Sequence, residues 1–191
     1  SGSARVAGHD SASVSAALRR AVDYVPEDAP LYEHMRVSEF LHFMARLKGL
    51  PGRSIPARVA EVAASLQLQS VMRVPGTKLS RGYRQRVSIA RALLKRAPVL
   101  LVDEATSALD TANETAIAAA LTDDPTPRTR IVVAHRLSSI RAADRVLFLE
   151  DGRIVEDGTI PELIAAGGRF ADFWRQHDAA SAWQIGAPGT T

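Results

Sequence analysis

Three short stretches hold the side chains that could do chemistry. Val99-Leu100-Leu101-Val102 is an unbroken apolar run, and two carboxylates, Asp103 and Glu104, follow it directly. Ile131-Val132-Val133-Ala134 is a second such run, followed by His135. Ser80-Arg81-Gly82 opens a helical pattern, where unpaired backbone N–H groups and the positive dipole end suit an anion. The apolar runs read as strands buried on both faces of a parallel sheet. In open parallel sheets ligands gather at the carboxyl ends of strands, where the acid pair and the imidazole stand. A lone histidine is ordinarily a packing or surface residue. Standing where the first strand has its carboxylates, His135 becomes a candidate for ligand contact.

The elements that must position these groups follow the same logic. Ser13 or Ser15 caps a short helix through Arg20, and Ala21 to Val25 reads as a strand stopped by Pro26. A loop with two prolines, Pro26 to Tyr32, carries Glu27. Ser38 to Lys48 is amphipathic, with Phe40, Leu41, Met44 and Leu47 on one face, and Gly49 and Pro51 end it. Ser54 with Pro56 starts a second helix carrying Val59, Val62, Ala63 and Leu66. A third, from about Tyr83 to Arg96, is expected to bury Val87, Ala90, Leu94 and Ala97 and to expose Arg84, Arg91 and Lys95. Asp110 is a good N-cap for the alanine-rich run Asn113 to Leu121.

Farther on, Asp151-Gly152 predicts a hairpin turn between two strands. Thr159-Ile160-Pro161-Glu162 matches a capping box, and Gly167-Gly168 closes that helix. Phe170, Phe173 and Trp174 anchor a last helix to about His177, before a tail.

The 191 residues suit one domain with a real core, and 46% hydrophobic with 24% charged residues is ordinary for a globular chain. No apolar run approaches the ~20 residues that cross a bilayer. No secretory signal is visible. The absence of cysteine excludes disulfides, thiolate metal sites and cysteine nucleophiles. The net charge of +3 comes from dispersed basic residues, which reads as solvated faces rather than a nucleic-acid surface.

Read together, the chemistry-bearing pieces resemble the nucleotide-binding domain of ABC transporters. Leu79-Ser80-Arg81-Gly82-Tyr83-Arg84-Gln85-Arg86 resembles the family's signature motif, Val99 to Glu104 its Walker B strand, and Ser107-Ala108-Leu109-Asp110 its D-loop. Pro26 to Tyr32 resembles the Q-loop, with Glu27 where glutamine is usual. Ala134-His135-Arg136-Leu137-Ser138 resembles the H-loop. The resemblance covers residues 1–178.

It implies an α/β fold: a P-loop NTPase-like, mainly parallel sheet core, truncated at the N-terminus, with an inserted α-helical subdomain. Residues 1–25 would be a remnant of the core and 26–95 the helical subdomain ending in the signature helix. Residues 96–178 would be the α/β core, and 179–191 a flexible tail.

The resemblance implies ATP and Mg²⁺ as ligands. It gives Glu104 and His135 catalytic roles, and Ser80, Arg81, Gly82, Glu27 and Asp110 contact with nucleotide. Asp103 would hold Mg²⁺ through water. It also implies a second nucleotide-binding domain, in a homo- or heterodimer, and the transmembrane domain of a transporter as partners. The place would be the cytoplasmic side of the plasma membrane. A face for a coupling helix of the membrane partner is expected near Leu31 to Val37.

The family's phosphate cradle, Gly-x-x-x-x-Gly-Lys-Ser/Thr, has no counterpart here, because no Gly-Lys dipeptide occurs. The chain alone is therefore expected to be inactive or weak as an ATPase. The rival expectation is a non-catalytic module that pairs with a complete domain and donates its signature face. A DNA-repair ATPase of the same superfamily is disfavoured, since the insertion is short and lacks long heptads. The front of the chain resembles subunits that serve separate membrane partners, and the back resembles exporter half-transporters. This suggests a recombined or engineered chain.

Overall fold

The computed structural model describes residues 4–12, 15–27, 31–103, 111–134 and 136–183. The chain divides into two units, Ser1–Val133 and Ala134–Thr191.

The first unit opens with a small antiparallel hairpin, β1 (Arg5–Val6) and β2 (His9–Asp10). Its turn residues Ala7 and Gly8 both take positive φ, 48° and 81°, the twist a two-residue hairpin loop needs. The Ser15 side chain accepts the Leu18 N–H at 3.1 Å and starts α1 (Ala16–Ala21), which passes into β3 (Val22–Val25). Three helices follow: α2 (Val37–Leu47), α3 (Ile55–Ser65) and α4 (Arg81–Leu93). Then come β4 (Val99–Asp103), α5 (Thr111–Thr122) and β5 (Thr129–Val133).

The strands form a three-stranded sheet in the order β3-β4-β5. Both pairings are parallel, with Val25 opposite Val102 and Asp103 opposite Val133. Parallel neighbours need long crossovers, and α2 to α4 supply the first and α5 the second. One sheet face, carrying Val25, Leu100 and Val102, joins Leu41 of α2, Val59 of α3, Ile89 of α4 and Ile117 of α5 in one core. Burying each such side chain is worth about 1.5–3 kcal/mol.

Several expectations change. The buried stripe of α2 is Val37, Phe40, Leu41 and Ala45, while Leu47 is 67% exposed. Leu47 sits four residues after the exposed Phe43, on the flank of that stripe. Helix α4 is buried nearly all round: Gln85, Arg86 and Ser88 lie inside as well as Val87 and Ala90. Arg84, Arg91 and Lys95 are half-buried rather than exposed, because α4 is wrapped by helices on one side and the sheet on the other.

Strand β4 buries one face, Leu100 and Val102, and half-buries the other. Strand β5 is exposed along its length, with Ile131 at 50% and Val133 at 44%. Among the described residues it is an edge strand of that sheet.

In the second unit, β6 (Val146–Glu150) and β7 (Arg153–Gly158) pair antiparallel around Asp151 and Gly152, both at positive φ. Helix α6 (Leu137–Ile140) precedes them. Thr159 and Glu162 form the expected capping box of α7 (Ile160–Ala166), which Gly167 ends at φ 66°. The last helix, α8 (Arg169–Trp183), runs past His177. Its opening N–H groups, Arg169 and Phe170, donate to the Glu156 carboxylate at 2.7 and 2.9 Å. The Phe170 and Phe148 rings meet edge-on, 6.2 Å apart.

Candidate functional site

Asp103 is the last residue of β4, half-buried at the carboxyl end of the sheet. The Tyr24 hydroxyl donates to Asp103 Oδ2 at 2.9 Å. That bond to a carboxylate raises the phenol above its usual pKa, since losing the proton would set two negative charges together. Among the described residues no cation pairs with Asp103 and Tyr24 is its one side-chain partner. Among the described residues the other oxygen meets no partner, and a carboxylate so placed suits the water shell of a divalent cation. No group of three or more His, Cys, Asp or Glu side chains that could hold a metal occurs among the described residues, so direct multi-carboxylate ligation is not built in there.

Glu27 lies exposed just beyond β3, two residues after Val25, whose register partner is Val102. Glu27 and Asp103 therefore stand at the same end of the sheet.

The helix that follows the signature-like sequence starts as predicted. Ser80 is the N-cap of α4, and its hydroxyl accepts the Tyr83 N–H at 3.4 Å. Ser80 and Arg81 are exposed, so this helix start is open to solvent. Gly82 is buried, and a Cβ there would lie 2.6 Å from Asn113 Cγ on α5. Arg84 Nη1 contacts Glu33 Oε1 at 3.3 Å, and the Arg86 guanidinium lies 5.3 Å above the Tyr83 ring centroid.

Two contacts set the direction of α4 against the sheet. At its C-terminal side, the Ala97 N–H donates to Asp23 Oδ2 at 3.3 Å, at the start of β3. At its other end Gly82 meets Asn113, near the start of α5, which follows β4 in the chain. Ser80 and Asp103 are thereby turned toward the same end of this unit. Glu104, Asp110 and His135 lie outside the described residues.

Sequence reasoning passed over Tyr24, Asn113 and Asp23. Alternation along β3 was the available signal for Tyr24 and Asp23, which must point to opposite faces. Nothing in the local pattern marks Asn113.

A parallel sheet with an acid-ended central strand, served by an open helix start, is the layout of a nucleotide-binding α/β domain. A family model described as ABC transporter matches residues 1–107, more than half of the chain, and the chain belongs to that family as an ATP-binding domain.

The mycobactin import ATP-binding/permease protein IrtB of Mycolicibacterium thermoresistibile is 75% identical over 112 residues, 59% of this chain and 19% of that protein. IrtB of Mycolicibacterium smegmatis is 65% identical over 131 residues, 68% of this chain and 23% of that protein. The beta-(1→2)glucan export ATP-binding/permease protein NdvA of Bradyrhizobium diazoefficiens is 41% identical over 181 residues, 92% of this chain and 30% of that protein.

A solved bacterial Atm1-family ABC exporter with ATP bound matches at TM-score 0.74 and 35% identity, covering 89% of this chain and 31% of that one. The chain thus spans about a fifth of the length of IrtB. Among the described residues no helix is long and apolar enough to cross a membrane.

Proposed function

We propose that the chain works as the ATP-binding part of a transporter, coupling ATP binding and hydrolysis to movement of a cargo across a membrane. The observation that carries this reading is the open Asp103 carboxylate at the strand end, in a chain whose α4 begins with an exposed Ser80.

In this reading two such domains enclose ATP between them. The Ser80 hydroxyl, with the N–H groups around Arg81 and Gly82, donates to the terminal phosphate held by the partner domain. Asp103 holds the water shell of Mg²⁺, and that ion neutralises phosphate charge when bound. Glu104 takes a proton from the attacking water, and His135 donates to the phosphate oxygens as charge builds. Glu27 senses metal and water, and Asp110 passes contact across the dimer. These 191 residues hold no Gly-Lys dipeptide, so in this reading the phosphate cradle lies outside them.

An exposed stripe supports a membrane-domain partner. Tyr32 and Phe43 are 56% and 40% exposed, with ring centroids 5.7 Å apart, beside a small cleft lined by Leu31, Met35 and Phe40. A helix end of the membrane-spanning part, on its cytoplasmic side, seats there. IrtB and NdvA carry permease in their names, in keeping with a membrane-domain partner.

The second reading is a non-catalytic module that pairs with a complete domain and only donates its signature face. Mg-ATP titration of the purified chain, alone and mixed with a P-loop-bearing domain, separates the two. Turnover that falls by about 100-fold or more in Glu104→Gln supports the catalytic reading. Turnover of the mixture unchanged by Glu104→Gln, but lost in Ser80→Ala, supports the module. Absence of nucleotide binding in both settings overturns both.

A further inference from the structure

Tyr24 lies opposite Leu101 in the β3–β4 register, so Tyr24, Leu101 and Asp103 share one face of the sheet. Asp103 stands two residues farther along, about 7 Å at ~3.3 Å per residue. A phenol is long enough to cover that diagonal, and its oxygen reaches Asp103 Oδ2 at 2.9 Å. A serine or threonine on β3 would fall short. On the other flank Asp103 faces Val133, which has no side-chain donor. The sheet therefore offers this carboxylate one donor, from one side.

A half-buried aspartate at a strand end has several rotamers open to it. A charged site works through geometry fixed before the ligand arrives, and hydrogen bonds from neighbouring groups do that fixing. We infer that Tyr24 is a positioning residue for Asp103: its hydroxyl holds one carboxylate oxygen in a single rotamer and leaves the other aimed at the hydrated cation of a bound nucleotide. This rests on the reading of Asp103 given under Proposed function. Tyr24 does not touch the reacting atoms and acts only through Asp103.

The test uses the 191-residue chain, isotope-labelled for NMR, with Tyr24→Phe as the variant. Phenylalanine keeps the ring and removes the donor. Three-bond Hα–Hβ couplings of Asp103 read its rotamer without any metal. They are expected to be unequal in the wild type and to average in Tyr24→Phe, with the melting temperature unchanged.

With a P-loop-bearing domain present to hold the phosphates, Mn²⁺ with ATP, as a stand-in for Mg²⁺, is then expected to broaden the Asp103 signals. Its apparent affinity should drop roughly tenfold in Tyr24→Phe, the low end for loss of a group behind a ligand. In an Asp103→Asn background the same change should add nothing. Couplings that stay unequal in Tyr24→Phe overturn the inference. So does an additive effect in the double variant. Averaged couplings with no Mn²⁺ effect on wild-type Asp103 uphold the Tyr24 hold and overturn the metal role of Asp103 instead.

Discussion

Asp23 and Lys48 form an ion pair that ties the start of β3 to the C-terminal end of α2. The Asp23 side chain is 2% exposed and Lys48 18%. The same carboxylate accepts the Ala97 N–H at 3.3 Å, just before β4. Arg91 and Lys95 lie within its field; burial lowers the pKa of both, and the Asp23 charge opposes that. One acid thus holds together a strand, a helix end and the entry to the central strand. Removing it leaves buried positive charge uncompensated. Asp23→Ala is expected to cost about 3–5 kcal/mol, read by urea unfolding. A loss under 1 kcal/mol would mean water already screens the cluster.

Gly82 meets Asn113 too closely for a side chain. The atoms in the way are the amide end of the Asn113 side chain, which can turn aside, so Gly82→Ala is expected to cost only about 1 kcal/mol by overpacking, offset in part by alanine's better helix propensity. Asn113→Ala makes room, so the double variant should regain most of that loss. Two additive losses would show that the contact is not the cause.

At the end of α5, burial pushes the Asp124 carboxyl up, but hydrogen bonds from Thr126 and Arg128 outweigh it and hold its pKa below the usual value. A depressed folded pKa adds stability that is present above the unfolded value, near ~3.9, and is lost as pH falls through the folded one. Acid unfolding should therefore be less pH-dependent below pH ~4 in Asp124→Asn than in the wild type. The Arg128 side chain is fully buried against Asp124, so Arg128→Met is expected to be destabilising, by about 3 kcal/mol. Denaturant midpoints at neutral pH check this.

In the second unit Glu156 caps α8 through the Arg169 and Phe170 N–H groups. Glu156→Ala should cost about 1–2 kcal/mol, seen as faster amide exchange in the first turn of α8. Thr159→Ala should cost about 1 kcal/mol in the same unit through loss of the α7 cap.

Features whose causes are local were readable from the residues. Asp151-Gly152 turns because both take positive φ cheaply, and Ser80 and Thr159 cap because their hydroxyls reach an N–H three residues on. What sequence reading missed depends on register and on neighbours. Tyr24 meets Asp103 only once β3 is slid against β4. The run Ile131-Val132-Val133 looks buried by composition, but burial needs a covering layer, and β5 is an edge strand. Arg86 and Gln85 look like surface residues until α4 is packed on all sides; Arg86 Nε and Gln85 Nε2 find no hydrogen-bond partner among the described residues. The site followed the same rule. Its acid and its helix start were legible, and its supporting phenol was not.

Helix α4 is buried nearly all round and shares one interior with α2, α3, α5 and the sheet. In the proposed reading, a push received near Phe43 would reach Ser80 through that shared packing. One internal cavity there should then weaken the response to the push while leaving ligand contacts whole.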